Sequence, residues 1–579
     1  MRKTKIVCTI GPSSSSKEML ETLIEKGMDV ARLNFSHGTH ESHLQVIKYI
    51  REISERKGKA VAILQDLCGP KIRLGNIPDG PVTIRNGDIF SLVEEEIDGD
   101  ATRATVTYKN LDKEARVGER ILIDDGLIEL RVEEITDGEL RCRVITGGDI
   151  SSHKGVNLPG TVLSVPSLTE KDLNDLRFGI ASKVDFIAVS FVRSDKDLDP
   201  AYKVMHEEGH YIPIISKIEK SEAVQCFDRI LQNSFGIMVA RGDMGVELPY
   251  EEVPLIQKKL IKLCQAQAKP VITATQMMDS MIRNPTPTRA EVNDVANAIM
   301  DGTDAIMLSG ETASGKYPLQ AVEAMVKIAE YTEKSLPYEE VFTRLGEKKN
   351  AVGAISLATC EVAEQMDASA IIVSTSSGRT ARSISKYKPR PPVIAITDSD
   401  ENARVMVLSW GVFSRTIKPS ADINAFIQDM CIAAVESGIV KEGDLAVITA
   451  GLPEGLKGST NSIMLHVLGR SFLRGIGAGN MSKVSGAVVY VTSPTEAAEK
   501  LKKGDIAVLR FLTPEYEKAI MSAAGVVCEL GDSQSTAAAI AQRLNIPAVL
   551  SVPNAFELLK EGEKVTVDSE RGIVTTENL

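Results

Sequence analysis

Eight short apolar runs, each closed by polar residues and followed by an amphipathic helical stretch, constrain this chain more than any other feature. They lie at 6–11, 30–36, 60–66, 185–192, 213–219, 236–243, 270–276 and 305–311. Continuous runs of Val, Ile, Leu and Ala, without alternation, suit parallel strands covered on both faces. Strand-then-helix repetition on this scale predicts an α/β fold, a (β/α)8 TIM barrel, formed by residues 1–69 and 167–336. The pattern breaks after the third run. Residues 70–166 alternate apolar and polar positions and carry the turn signals Asn86-Gly87, Asp125-Gly126 and Asp137-Gly138, which predicts an inserted all-β domain, a β-barrel lid at the mouth of the main barrel. A C-terminal α/β domain is expected at 337–470, with strands near 370–374, 393–397 and 445–449. A linker, 471–485, with Gly475–Gly479 as a flexible joint, leads to a further α/β domain at 486–579.

The residues that end these runs carry the chemistry. In a barrel of this type catalytic groups sit at the C-terminal ends of strands. Here those ends hold Arg32, Asn34 and Ser36, then Asp66, then Lys217 and Glu219, then Asp243, then Thr275-Gln276, then Ser309 and Glu311. Glu219 and Asp243 suit a hard divalent cation such as Mg2+, which prefers one or two carboxylates. Lys217 lies two residues before Glu219, so on a strand both point to one face. An ammonium there can stabilise a transferring phosphoryl group or an enolate.

Several segments then resemble one family. TKIVCTIGPSS, ARLNFSHG, DLCGPKIR, KGVNLPG, SKIEK, GIMVARGDMGVE and PTPTRAEVNDVANAIMDGTDAIMLSGETASGKYP resemble the signature segments of pyruvate kinases, in family order, over roughly residues 1–470. The resemblance implies transfer of the phosphoryl group of phosphoenolpyruvate to ADP, giving ATP and pyruvate in the last step of glycolysis. It implies that Glu219 and Asp243 bind Mg2+ (or Mn2+), and that Arg32, Arg73, Lys217 and Thr275 are catalytic. Ala240, Arg241, Gly242 and Asp243 would join Arg32, Lys217 and Thr275 in holding the substrate. Asn34, His37, Arg73 and Lys154 would meet the nucleotide. It also implies a homotetramer.

Departures from the family pattern matter as much. The family's K+ site corresponds to Asn34, Ser36, Asp66 and the carbonyl of Leu67. Members that need K+ have Glu where this chain has Lys71, so a fixed ammonium is expected to replace the ion and K+ not to be required. The segment VVCELGDSQSTAAAIAQRLNIPAVL resembles the phosphohistidine swivelling domain of phosphoenolpyruvate-utilising enzymes. Thr536 stands at its His position, so that domain is expected to be non-catalytic. The loop Ser374-Thr375-Ser376-Ser377-Gly378-Arg379-Thr380 offers hydroxyls and helix N-terminal amides to a phosphate. By resemblance it is the allosteric loop, for AMP or a sugar phosphate.

Composition narrows the partners. A net charge of -12 without a basic block argues against nucleic acid or an anionic membrane as partner. The 8 Cys include no C-x-x-C pair, no signal peptide precedes them, and a cytoplasmic location is expected. His206-Glu207-Glu208-Gly209-His210 fits a zinc motif on paper, but Gly209 reads as a helix end, which would separate the two His. His40 and His43 read as solvated helix residues. The rival readings are a barrel lyase with a metal-bound enolate and a catalytically inactive metabolite sensor.

Overall fold

The computed structural model describes residues 1–78, 80–161, 164–338, 350–418, 420, 423–451, 460–469 and 471–576. It divides into two compact units. One comprises Met1–Lys348, Ser377–Lys388 and Ser399–Ser414; the other comprises Lys349–Ser376, Pro389–Asp398 and Arg415–Leu579.

In the first unit eight parallel strands close into a barrel: β1 (Lys5–Ile10), β2 (Val30–Asn34), β3 (Ala62–Asp66), β4 (Phe186–Val189), β5 (Ile214–Ile218), β6 (Gly236–Ala240), β7 (Val271–Ala274) and β8 (Ala305–Leu308). The absence of alternation in their sequences has its reason here. One set of side chains, including Val7, Leu64, Phe186, Met238 and Ile272, fills the barrel, while the other packs under the helices. Helix starts are set locally. Thr39, Thr169 and Thr288 each form a reciprocal capping box that satisfies otherwise orphaned amides.

The insertion after β3 alternates as its sequence predicts. The strand Ile128–Thr136 buries Ile128, Leu130 and Val132 and turns Arg131 and Glu133 outward. Among the described residues, however, the lid's strands do not close into a barrel. They form a six-stranded sheet and a separate two-stranded one. Among the described residues only the main barrel closes.

The second unit holds a sheet that includes, in the order β10-β9-β11-β12, β9 (Ala370–Ser374), β10 (Val393–Thr397), β11 (Leu445–Ala450) and β12 (Ser462–Val467), the last antiparallel and at the edge. It also holds an eight-stranded terminal sheet. The stretch read as a linker, 471–485, belongs to that sheet. Ser471–Arg474 pairs with Ile573–Thr576, and Ile476–Ala478 pairs with Ala548–Leu550. Its glycines serve close approach, not mobility: a Cβ on Gly477 would fall 1.7 Å from the Ser569 carbonyl oxygen. Leu445, Val467 and Ile573 form one buried cluster, so the terminal sheet shares apolar core with β11 and β12. No described helix is long and apolar enough to cross a membrane.

Candidate active site

Five strand ends converge at the barrel mouth. Lys217, at the end of β5, places its Nζ 2.9 Å from Glu219 Oε1, 2.8 Å from Ser190 Oγ and 3.5 Å from Asp66 Oδ1. Asp66, at the end of β3, also accepts Arg32 Nε at 2.7 Å. Arg32 Nη1 donates to Thr9 Oγ1 at 2.9 Å. The side chains of Lys217 and Arg32 are 11% exposed and that of Glu219 is 1% exposed. Charges buried this deeply are tolerable only when paired, and here two cations interleave with two carboxylates.

The electrostatics follow from that interleaving. Burial alone would lower the Lys217 pKa, but Asp66, Glu219 and Asp243 outweigh it, and the ammonium is held charged well above its ordinary range. Burial would raise the Asp66 pKa, yet Lys217 and Arg32 hold it below the usual carboxylate range. Glu219 is the exception. Burial, reinforced by the like charge of Asp243, pushes its pKa up despite Lys217. A buried carboxylate that feels a second carboxylate is a donor pair that a divalent cation would relieve, so Glu219 and Asp243 fit a hard metal ion. The described residues contain no group of three His, Cys, Asp or Glu that could hold a metal by themselves. A cation held there needs oxygens from substrate or water as well, as Mg2+ accepts.

Two backbone outliers frame the cluster. Thr275 and Phe191 have φ of 67° and 57°, values that cost about 1–3 kcal/mol for non-glycine residues and persist where surrounding bonds enforce them. Phe191 N–H donates to Glu219 Oε2 at 2.9 Å. Thr275 Oγ1 accepts Gly242 N–H at 2.7 Å and donates to the Ala274 carbonyl at 2.6 Å. Arg241 donates to the Thr275 carbonyl at 2.7 Å and to Asp294 at 2.7 Å. Arg241 therefore braces the turn that carries Thr275.

The lid contributes cations of its own. Arg73 Nη1 donates to the His153 carbonyl at 2.9 Å, and Lys154 pairs with Asp124 at 2.6 Å. Asn157 Nδ2 reaches Glu247 of the barrel at 3.2 Å, and Glu247 also pairs with Lys220. Gly69 lies at the junction of barrel and lid. Its φ is 68°, and a Cβ there would lie 2.8 Å from the Phe191 ring, so only glycine fits.

Comparison with known proteins gives one answer over the whole length. Residues 1–322 match the family model of the pyruvate kinase barrel domain, 353–466 that of the pyruvate kinase alpha/beta domain, and 501–572 that of the PEP-utilising enzyme mobile domain. Pyruvate kinases of Geobacillus stearothermophilus and Bacillus licheniformis are each 45% identical to it, over 99% of this chain and 98% and 99% of theirs. That of Staphylococcus epidermidis is 44% identical over 99% of both chains. The chain belongs to the pyruvate kinase family. It is an enzyme, a transferase of the kinase type that acts in glycolysis.

The structure brings Arg32, Asp66, Lys217 and Glu219 into one bonded cluster and sets Gly242 against Thr275. It keeps Arg73 and Lys154 bonded within the lid. The oxygens read as a K+ site are engaged internally. Asn34 Oδ1 accepts Ser36 N–H at 3.1 Å, and the Leu67 carbonyl accepts Ser190 Oγ at 2.7 Å. Lys71 packs on the lid, where a Cβ on Gly155 would lie 3.7 Å from its Nζ. Glu311 is spent on the backbone N–H groups of Met278 and Ser309. His37 is exposed, and its carbonyl accepts His43 Nε2 at 2.9 Å.

His40 keeps a side chain that is 42% exposed, as expected of a solvated helix residue, whereas His43 is half-buried. His43 stacks on Phe35 at 4.1 Å, and His40 bonds Asp175 at 2.7 Å while stacking on Phe178. In the zinc-like motif the helix Asp199–Glu207 ends before His210. Ser190 is the residue that sequence reasoning missed. It lies just past β4, the strand end to which no chemistry was assigned, and that gap was the available signal. In the second unit Ser374–Ser376 end and follow β9; Ser377–Thr380 belong to the first unit and lead into the helix Arg379–Ser385, with Gly378 at φ 71°. Thr536 opens the helix Thr536–Leu544, capped by Ser535.

Proposed function

We propose that this enzyme transfers the phosphoryl group of phosphoenolpyruvate to ADP, with the Lys217–Glu219–Asp66–Arg32 cluster as its working centre. The observation that carries this reading is a buried, fully charged ammonium between two carboxylates at the end of β5. Phosphoryl transfer needs in-line positioning and charge neutralisation. Arg32 and Arg73 would hold phosphate oxygens, and Lys217 would neutralise charge on the transferring group and on the enolate left behind. Thr275 would sit in the relay that delivers a proton to the enolate carbon. Ala240, Arg241, Gly242 and Asp243 would orient the substrate carboxylate. Gly242 N–H must then leave Thr275 Oγ1 to donate to it. Asn34, His37, Arg73 and Lys154 would contact the nucleotide.

The family generally uses Mg2+. Glu219 and Asp243 would hold it (or Mn2+), where it would supply charge neutralisation to the phosphate and carboxylate oxygens. Lys71 makes K+ dispensable in this reading, its ammonium serving as a resident charge. Residues 1–69 with 167–336 would be the catalytic domain, 70–166 its lid and 337–470 a regulatory domain. The loop Ser374–Thr380 would take a phosphorylated effector, AMP or a sugar phosphate. The segment 486–579 would be catalytically silent because Thr536 cannot carry a phosphoramidate. The exposed Tyr250 and Leu255 suit a homotetramer.

Steady-state formation of pyruvate and ATP from phosphoenolpyruvate and ADP, with Mg2+ and with or without K+, tests the reading. Equal yields of the two products, indifferent to K+, are expected. Folded enzyme that makes neither product would overturn it in favour of a lyase.

A further inference from the structure

A second cluster of cations lies at the opposite end of the barrel. Pro270 and Asp304, which immediately precede β7 and β8, help line a cavity of about 10 Å³ together with Lys269, Arg382, Lys388 and Ser409. That is the space one water-sized body needs. Lys386 lines it too, with its Nζ 4.7 Å from the Tyr387 ring.

The charges here do not balance. Asp304 is the one carboxylate on the wall, and Lys388 Nζ already takes it at 2.7 Å. Lys269 donates only to main-chain carbonyls, those of Leu231, Gln232 and Ser234. Arg382 donates to the Ser377 carbonyl at 3.2 Å and lies 4.7 Å over the Phe235 ring. Dipoles and a ring face orient these cations without cancelling their charge. Burial lowers the Lys269 pKa to about 8, with the charge of Arg382 adding to the effect, and burial together with Arg379 lowers Arg382 to about 10. Both therefore remain charged at neutral pH. Ser409 is 2% exposed, and among the described residues its Oγ has no hydrogen-bond partner. Lys and Arg have no acceptor to offer a hydroxyl proton. The cavity thus presents donors on several sides, and Asp304 is the one anionic group on its wall.

We propose that this cavity binds one chloride-sized inorganic anion, held by the charges of Lys269 and Arg382 and by the Ser409 hydroxyl. The anion supplies the missing counter-charge and accepts the orphaned proton. The cavity volume excludes a phosphate. Because Arg382 belongs to the helix Arg379–Ser385, occupancy ties that helix to the base of β7.

The test uses the full-length enzyme. Thermal unfolding is followed in sodium chloride, sodium bromide and sodium gluconate at equal ionic strength, and a bromide-soaked crystal is examined for anomalous scattering. The halides are expected to raise the unfolding midpoint saturably above gluconate, as ligand linkage requires, and a bromide peak is expected in the cavity. Ser409→Ala should weaken the apparent halide affinity about tenfold, the equivalent of one hydrogen bond to a charged group, and Arg382→Gln should abolish the halide-specific shift. If Arg382→Gln fails to fold, Ser409→Ala and the bromide peak decide. Equal midpoints in all three salts with no peak, indicating a bound water, would overturn the proposal. So would a halide response unchanged in Ser409→Ala, or stabilisation by sulfate or phosphate but not by halide.

Discussion

At the barrel mouth β2, β3 and β5 end on or beside Arg32, Asp66, Lys217 and Glu219, all buried and mutually bonded. In the terminal sheet the parallel strands Ile506–Leu509 and Gly525–Cys528 run out into Arg510-Phe511 and Glu529-Leu530, and there the apolar side chains stay exposed, Phe511 at 53% and Leu530 at 62%. An ion pair at that edge, Arg510–Glu529, is long at 3.8 Å, and its Arg side chain is 75% exposed. Both regions are parallel strands followed by helices. The difference lies in desolvation. Charges excluded from water depend on one another for partners and are locked into geometry, whereas a solvated pair is screened and binds little. Strand-then-helix architecture offers a place for chemistry; interlocked buried charge is what occupies it.

The largest test of this contrast is Lys217→Met. Turnover should fall by about 10²–10³ or more, as on removing one preorganised electrostatic donor. In metal-free enzyme, stability should fall by about 3–5 kcal/mol, because Asp66 and Glu219 lose their shared cation. Chemical denaturation alongside the assay separates the two effects; unchanged turnover would break the comparison. Next, Lys71→Glu should make activity depend on K+, roughly tenfold between K+ and a large organic cation, on the order of 1.4 kcal/mol. Indifference of this variant to K+ would remove Lys71 as a resident charge.

Ile573→Ala should cost about 2–5 kcal/mol, as for other large-to-small core changes, and expose the terminal sheet to limited proteolysis. Protection equal to the parent would show that the cluster with Leu445 and Val467 does not anchor it. A smaller effect is expected from Lys5, buried at the base of β1 with Nζ on the Val412 carbonyl at 2.6 Å. Burial lowers its pKa to about 8 from 10.5. Between those values the unfolded chain binds a proton that the native one has released, so this lysine makes stability rise from pH 8 to 10.5 and adds no slope below pH 8. Lys5→Met should remove about 1–3 kcal/mol of that rise, as urea midpoints at pH 7.5 and 9.5 would reveal. The smallest effect is Thr536→Ala in the terminal domain, which should leave turnover unchanged. A loss of activity there would mean that the solvated region takes part in the reaction after all.

Much of the site is legible in the sequence because its signals are local. Lys217 and Glu219 share a face through the two-residue repeat of a strand, and Arg32, Asp66 and Asp243 close apolar runs that end at the same face of the barrel. Ser190 was not legible, since a serine after an apolar run is commonplace until the barrel sets it between Lys217 and the Leu67 carbonyl. Gly475–Gly479 misled for a related reason. Glycine clusters serve both flexible joints and tight strand crossings, and only the Ser569 and Leu550 carbonyls against Gly477 and Gly475 distinguish the two. His43 looks solvated on its helix, yet Phe35 stacks on it and leaves it half-buried, while His40 stays 42% exposed beside Phe178.

The sequence by itself determined the eightfold repeat, the interruption after β3, the charged strand ends and the family, because burial pattern and motif are written in neighbouring residues. Tertiary structure alone decided which charge meets which. Asp66, Ser190 and Lys217 touch across sequence separations of 124 and 27, Lys388 finds Asp304 across a separation of 84, and among the described residues the hydroxyl of Ser409 has no partner. Those outcomes depend on closing the barrel, since the energy of a buried charge is set by everything within a few ångströms and not by its neighbours along the chain.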